Sequence, residues 1–277
     1  MNKDIYRTDS ISFQAFGVKI EIRADETELL GDIYTKLERV FPNGLELAME
    51  TEIEYRFYIK SVETGKYELY RNGEKLCEDG GRELFLNMVE SHLRVTVAEF
   101  AVGKVFLHAG VVGWKGRAIV IPATSFSGKT TLVAELVKKG ALYYSDEYAV
   151  VNTLGNVEPF PKWLSLRGIT DAFTQDDCPV ESLGGTAGTK PIPVGMVLIA
   201  KYKSGKKIPR RWQPRQLTQG EAMMEIIPHT LPIRNKPKFV LEVLNKLTDR
   251  AIIIRTVRGE AAEFAETLLG YFESAIK

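Results

Sequence analysis

The chain has 277 residues, and its 37 basic and 36 acidic side chains nearly cancel, leaving a net charge of +1. No global field draws it to nucleic acid or an anionic membrane, so any basic site has to be local. Cys77 and Cys178 stand alone, without paired spacing or a Cys/His cluster, which excludes a disulfide framework and a structural zinc site. The start of the chain lacks an apolar signal core and no apolar run approaches the roughly 20 residues of a membrane span, so the expectation is a soluble cytoplasmic protein with no membrane partner.

Residues 12–23 alternate, with Val18, Ile20 and Ile22 on one side, and read as a half-buried strand. Asp25, with Glu28 three positions on, resembles a capping box and predicts a helix to about Val40, ended by Pro42-Asn43-Gly44. Short β segments follow at 55–59 and 67–70, and Asn72-Gly73 predicts a hairpin turn before Lys75-Leu76-Cys77. A helix from about Gly81 to Phe100 closes a small α+β companion domain spanning residues 1–100.

Residues 101–277 form the second predicted domain. Two strands, joined at Trp114 to Gly116, lead into the run Ala118-Ile-Val-Ile-Pro-Ala-Thr-Ser-Phe-Ser-Gly-Lys-Thr-Thr131. A helical pattern starts with Leu132, Val133, Leu136 and Val137 and ends at Lys138-Lys139-Gly140, with cations at the negative end of the dipole and a glycine where the chain turns. Residues 141–151 read as another β segment and residues 196–202 as a further strand. Between them, 176–194 is rich in Gly, Pro, Thr and Ser and is expected to be a mobile loop, either closing over a substrate or simply connecting. Thr218 with Glu221 caps a helix over 222–227, and the last helix, about 260–276, puts Ala261, Phe264, Ala265, Leu268, Phe272 and Ala275 on one face.

The chemistry concentrates at the strand-to-helix junction. A buried strand, a turn of small residues and Gly128-Lys129-Thr130 opening a helix make a phosphate-binding loop, although Ala123 stands where the usual pattern has Gly. Amide N–H groups of Ser125, Phe126, Ser127, Gly128 and the helix start, including Thr131, would converge on phosphate oxygens. Lys129 would supply a point charge, and the Thr130 hydroxyl would hold Mg²⁺. Asp146-Glu147, where a strand emerges after that helix, is the candidate carboxylate pair for a metal and a base; its alternative is a polar strand end. His108 and Arg167 carry little weight alone.

Taken together, His108-Ala-Gly-Val-Val, the loop with Ser125, Gly128, Lys129 and Thr130, then Leu136-Val-Lys-Lys-Gly140 and Ser145-Asp146-Glu147, resemble in order and interval the catalytic domain of the HPr kinase/phosphorylase family. The resemblance implies an α/β fold: a P-loop kinase domain of the HPr kinase/phosphoenolpyruvate carboxykinase type, with a mixed sheet, beside the small N-terminal domain. It implies ATP and Mg²⁺, with Asp146 as base toward a hydroxyl, Glu147 and Thr130 on the metal, and His108 tuning the cluster. Leu164-Ser-Leu-Arg167-Gly168 is similar to a further family segment and suggests Arg167 for charge stabilisation. Leu231-Pro-Ile-Arg234-Asn235 is similar to a late basic segment, which puts Arg234 toward the phosphates.

The resemblance covers about residues 104–172, thins toward the C-terminus and is absent over the first hundred. Departures at Ala123, Phe126, Thr131, Glu147 and Ser165 argue against phosphorolysis and against HPr itself as acceptor. The expected activity is therefore phosphoryl transfer from ATP to a hydroxyl, first of all a serine of a protein or peptide, in a protein that family precedent allows to be a homo-oligomer. The alternatives are a small-molecule or ribosomal-peptide acceptor, and a nucleotide-binding regulator without turnover. Seven cations between Lys201 and Arg215, with no acid among them, read as a hairpin with a basic tip or as a contact for an acidic protein or peptide, well ahead of nucleic acid.

Overall fold

Three two-residue turns set much of the strand pairing. Phe16-Gly17, Asn72-Gly73 and Lys115-Gly116 have φ of 50° and 79°, 50° and 86°, and 50° and 75°. Positive φ at both central positions matches the right-handed twist of the strands they join. The computed structural model describes residues 9–276 apart from 42–43, 49–51, 64, 125–126, 168–174 and 210. The chain divides into two compact units, residues 1–102 and 103–277.

In the first unit, β1 (Ser10–Ala15) and β2 (Val18–Ala24) are two strands where the alternation of 12–23 suggests one. The buried apolar positions change parity at the turn, from 11, 13 and 15 to 18, 20 and 22, because the two-residue reversal at Phe16 and Gly17 sets Ala15 opposite Val18 on the same face. Helix α1 (Glu28–Val40) then leads to β3 (Glu46–Leu47) and β4 (Tyr55–Glu63), and β4 lies parallel to β2. β5 (Lys66–Arg71), β6 (Glu74–Asp79) and α2 (Arg82–Phe100) complete the unit. The sheet order is β3-β1-β2-β4-β5-β6. Asp25 does not cap α1: the N-cap is Thr27, and the Asp25 carboxylate instead accepts from the Tyr58 hydroxyl and from the Ser61 N–H at 3.0 Å.

The second unit is α/β with a mixed sheet. It comprises β7 (Lys104–Trp114), β8 (Arg117–Pro122), α3 (Lys129–Lys138), β9 (Leu142–Ser145), β10 (Tyr148–Asn152), β11 (Asn156–Glu158), β12 (Leu164–Arg167), β13 (Gln175–Cys178), β14 (Ile192–Tyr202), β15 (Arg215–Gln216), α4 (Gln219–Ile226), α5 (Pro237–Asp249), β16 (Ile252–Arg258) and α6 (Ala261–Ala275). The main sheet runs β11-β10-β7-β8-β14-β16-β15, with β9 also on β7. β8, β14 and β16 are mutually parallel, and β7 is antiparallel to β8. Strand alternation sorts the side chains into two layers. Ile119, Ile121, Met196, Leu198 and Ile254 pack with Leu132, Leu136, Phe264 and Leu268 of α3 and α6. Ala118, Val120, Val197 and Ile253 pack with Ala222, Ile226, Val240 and Leu244 of α4 and α5. On α6 the expected apolar face is buried through Phe272, while Ala275 is exposed.

Four features depart from expectation. The segment 141–151 is two strands, β9 and β10, broken at Asp146-Glu147, both pairing with β7. The Gly-rich stretch is an ordered strap: Tyr143 N–H donates to Thr186 O at 2.9 Å, Gly188 N–H donates to Tyr143 O at 2.7 Å, and the Tyr144 hydroxyl donates to Lys190 O at 2.8 Å. Two of its glycines serve close packing, since a Cβ on Gly185 would lie 2.2 Å from Val137 and one on Gly188 2.2 Å from the Tyr144 ring, while Gly184 turns the chain at φ 70°. The basic run turns at Ser204-Gly205, as its composition suggests, but makes no hairpin: β15 pairs with β16 and not with β14. The expectation also leaves 228–259 without elements, where the structure has α5 and β16, a strand paired on both sides by β14 and β15.

Replacing Gly188 by Ala should destabilise the second unit by about 1–3 kcal/mol through overpacking against Tyr144. Gly270→Ala, on α6 with open space at its Cβ, should stabilise it by about 0.5–1 kcal/mol. Thermal or urea unfolding of the two variants checks both signs.

Candidate functional site

β7 joins the parts of the site. Its His108 carbonyl accepts from Ala123 N–H at 3.4 Å, at the start of the loop after β8, and its Ala109 N–H donates to Glu147 O at 3.1 Å. Two residues of one strand thus hold the phosphate-loop candidate and the carboxylate pair side by side. Gly110 comes next, and a Cβ there would lie 2.6 Å from Val133 and 3.1 Å from the Lys129 stem. Its bare backbone lets the first turn of α3 settle onto the sheet. The His108 ring lies beside that of Tyr148, 6.2 Å between centroids.

The helix start has the features of an anion site. Gly128 is its N-cap, in the left-handed region at φ 75°, with no side chain capping the first turn. Lys129 is 8 % exposed, and its Nζ has no hydrogen-bond partner among the described residues; the same holds for the Ser127 hydroxyl. A buried ammonium without a partner is costly unless something fills the space before it. Burial pulls the Lys129 pKa down to about 8, against the opposing pull of Glu147 and then Asp146, with Lys162 adding to the fall. Thr130 is half-buried and Thr131 exposed. Ser125 and Phe126, expected at the tip of the loop, lie outside the described residues.

The carboxylates owe their orientation to a local device. Ser145 is buried, and its hydroxyl accepts from the N–H groups of Glu147 at 3.1 Å and Tyr148 at 3.0 Å, satisfying the bend between β9 and β10. Asp146 is 3 % exposed; its Oδ1 accepts from the Tyr143 hydroxyl at 2.9 Å and its Oδ2 from the Ser165 N–H at 3.4 Å. Burial, then the Asp146 charge, push the Tyr143 phenol well above its ordinary pKa, so it stays a donor. Glu147 is more open and lies 4.0 Å from Lys162 Nζ.

Lys162 is a site residue that sequence reasoning missed. Buried, it donates to Trp163 O at 3.2 Å and to the Ser165 hydroxyl at 3.1 Å, and that hydroxyl donates to Asp177 at 2.5 Å. Arg167 sits on β12 opposite Gln175 of β13; its side chain lies outside the described residues. Arg234 is exposed in a turn, whereas His229 of the same segment lines the cleft described next. Burial, then the Lys129 charge, lower the His229 pKa, which puts its imidazole in the field of that ammonium.

The second missed residue is Arg258, at the end of β16 and 3 % exposed. Its guanidinium donates to Gly128 O at 2.8 Å and Ser127 O at 3.3 Å, bracing the loop from behind, and stacks 5.2 Å over the Tyr202 ring. An apolar strand ending in a cation, Ile252 to Arg258, was the available signal, because ligands in open α/β sheets sit at the carboxyl ends of parallel strands. A cleft of about 640 Å³ occupies that position, lined among others by Thr124, Ser127, Tyr202, His229, Arg255 and Thr256.

Among the described residues, no group of three or more His, Cys, Asp and Glu side chains is arranged to hold a metal, and both cysteines are free. No helix among those residues is long and apolar enough to cross a membrane. The chain matches no protein-family model and no curated protein sequence.

With a pKa near 8 in the folded state against 10.5 for an unburied lysine, Lys129 loses its proton well before an ordinary lysine as the pH rises. Between those values the unfolded chain holds more protons than the folded one, so this group makes stability rise with pH across that window. An anion that needs the charged ammonium shows the reverse trend. ATP should bind roughly tenfold more weakly at pH 9 than at pH 7.5, and Lys129→Met should remove that dependence in titration calorimetry.

Proposed function

We propose that the second unit is a P-loop phosphotransferase of the HPr kinase-like type, which moves a phosphoryl group from ATP to a hydroxyl, serine of a protein or peptide first among the acceptors, in the cytoplasm. The observation that carries this reading is the buried Lys129 ammonium, without a hydrogen-bond partner among the described residues, at a helix start whose N-cap is glycine, within the field of Glu147 and Asp146. Such a cation next to free amide donors suits a polyphosphate, and the carboxylates beside it suit phosphoryl transfer rather than anion storage alone. The cleft at the ends of β14 and β16 has room for a nucleoside.

In this reading Lys129 and the first-turn amides of α3 neutralise the charge of the transferring group. Asp146 accepts the proton of the attacking hydroxyl; Tyr143 and the Ser165 amide hold it in place and leave it lone pairs for that proton. The donor set fits magnesium, since the Thr130 hydroxyl and Glu147 carboxylate are hard oxygen ligands and this cation takes few protein ligands beside phosphate and water. When bound, it would screen the charge of the phosphates. Lys162, next to Glu147, limits the negative charge of the pair when no nucleotide is present.

A second reading, a nucleotide-sensing regulator without turnover, draws support from the near-complete burial of Asp146 and the engagement of both its oxygens. Labelled ATP offered with Mg²⁺ to serine-containing peptides and proteins separates the two. A kinase should transfer label, and Asp146→Asn should lower the rate by about 10²–10⁴ while ATP still binds. Intact ATP binding with no transfer to any acceptor would leave the regulator.

A further inference from the structure

The basic strap after β14 is a built feature. Lys203 N–H donates to Arg258 O at 2.9 Å and Lys206 N–H to Lys203 O at 3.2 Å, closing the turn. The strap crosses Gly259 so closely that a Cβ there would lie 1.8 Å from Lys206 O, which only glycine permits. From this turn the chain runs along α6. There Lys207 and Arg211, with Thr267, Tyr271 and Ser274, line an open groove of about 730 Å³.

The charges on the strap are unspent. Arg215 pairs with Glu221 and Arg255 with Glu225, but Lys201, Lys203, Lys206, Lys207 and Arg211 are exposed and make no ion pair among the described residues. Five like charges on a backbone pinned in place repel one another, and an anionic partner relieves that repulsion.

The aromatic residues decide which anion. Trp212 lies edge-on to Phe264 at 5.3 Å and to Tyr271 at 5.2 Å, with its indole N–H donated to Thr256 at 3.1 Å. Tyr202 carries Arg258 over its face and donates its hydroxyl to Glu260 at 2.8 Å. Trp212 is packed against two rings and Arg258 covers one face of the exposed Tyr202, so the strap does not present the succession of open aromatic faces that grips single-stranded nucleic acid. Glu263 on the groove wall would repel a phosphate backbone, whereas a peptide can set a donor against it.

We propose that this strap and groove dock an acidic polypeptide segment. Lys201 and Tyr202 also line the cleft that Thr124 and Ser127 of the phosphate-loop candidate line, so the docked segment leads toward that loop. Calling that segment part of the phosphoryl acceptor rests on the phosphotransferase reading; the binding itself does not.

The test measures binding without nucleotide, so its failure is separate from failure of catalysis. A fluorescent peptide of alternating glutamate and serine is titrated with the full chain, followed by anisotropy. Expected are saturable binding that weakens with added salt, no binding of the matching glutamine-serine peptide, and about tenfold loss in Lys207→Glu/Arg211→Glu. Lys207→Gln/Arg211→Gln, a milder change, should lose several-fold and stands in if the reversal variant does not melt cooperatively. Absence of binding, equal binding of the neutral peptide, unchanged affinity in the variants, or tighter binding of an oligothymidylate of equal charge would each overturn the proposal.

Discussion

The close approach of α3 to β7 at Gly110 is the constraint on which the site rests. A side chain at Gly110 would collide with Val133 and the Lys129 stem, lift the helix start, and carry the ammonium away from Asp146 and Glu147. The same strand binds the loop through the His108 carbonyl and the carboxylate bend through the Ala109 amide. One stretch of three residues therefore fixes the height of the cation, the origin of the loop and the position of its counter-charges. A core methyl group too many would cost only about 1–3 kcal/mol in stability, but displacing the cation by an ångström would matter far more to chemistry that depends on alignment.

The loop is held from two directions. β7 secures its beginning, and Arg258 secures its end by donating to the carbonyls of Ser127 and Gly128. Gly128 O also accepts from Leu132 N–H at 3.1 Å in the first turn of α3, so the guanidinium braces the loop through carbonyls and engages none of the first-turn amides. Burial lowers the Arg258 pKa, yet a guanidinium remains charged throughout the accessible pH range, which suits a brace that should not titrate. Lys129, by contrast, is placed where its charge depends on what lies before it.

What could be read in advance was what neighbours in the chain determine. The turns at Asn72-Gly73 and Lys115-Gly116 follow from residues that accept positive φ, the Thr218/Glu221 capping box forms as its spacing implies, and α6 buries Phe264, Leu268 and Phe272. Reading 12–23 as one strand overlooked the reversal at Phe16-Gly17, where the apolar positions pass from odd to even. Composition misled at 183–190, where Gly185 and Gly188 report close neighbours, Val137 and Tyr144, and not freedom of the backbone. Arg258 meets Gly128 across 130 residues, and only the position of its strand hinted at it; Lys162 hydrogen-bonds to its near neighbours Trp163 and Ser165, and what makes it a site residue is its approach to Glu147 at 4.0 Å. A buried cation announces itself in a sequence only through the groups that surround it in space.

The Tyr143 hydroxyl has one hydrogen and two acceptors, Asp146 Oδ1 at 2.9 Å and Lys162 O at 2.8 Å. While the carboxylate is ionised it has the stronger claim on that hydrogen. A rotation about the phenolic C–O bond hands that hydrogen to the carbonyl without displacing a heavy atom. The phenol is a swivel with two seats, so its hydrogen can pass between carboxylate and carbonyl inside a closely packed interior with little reorganisation of its surroundings.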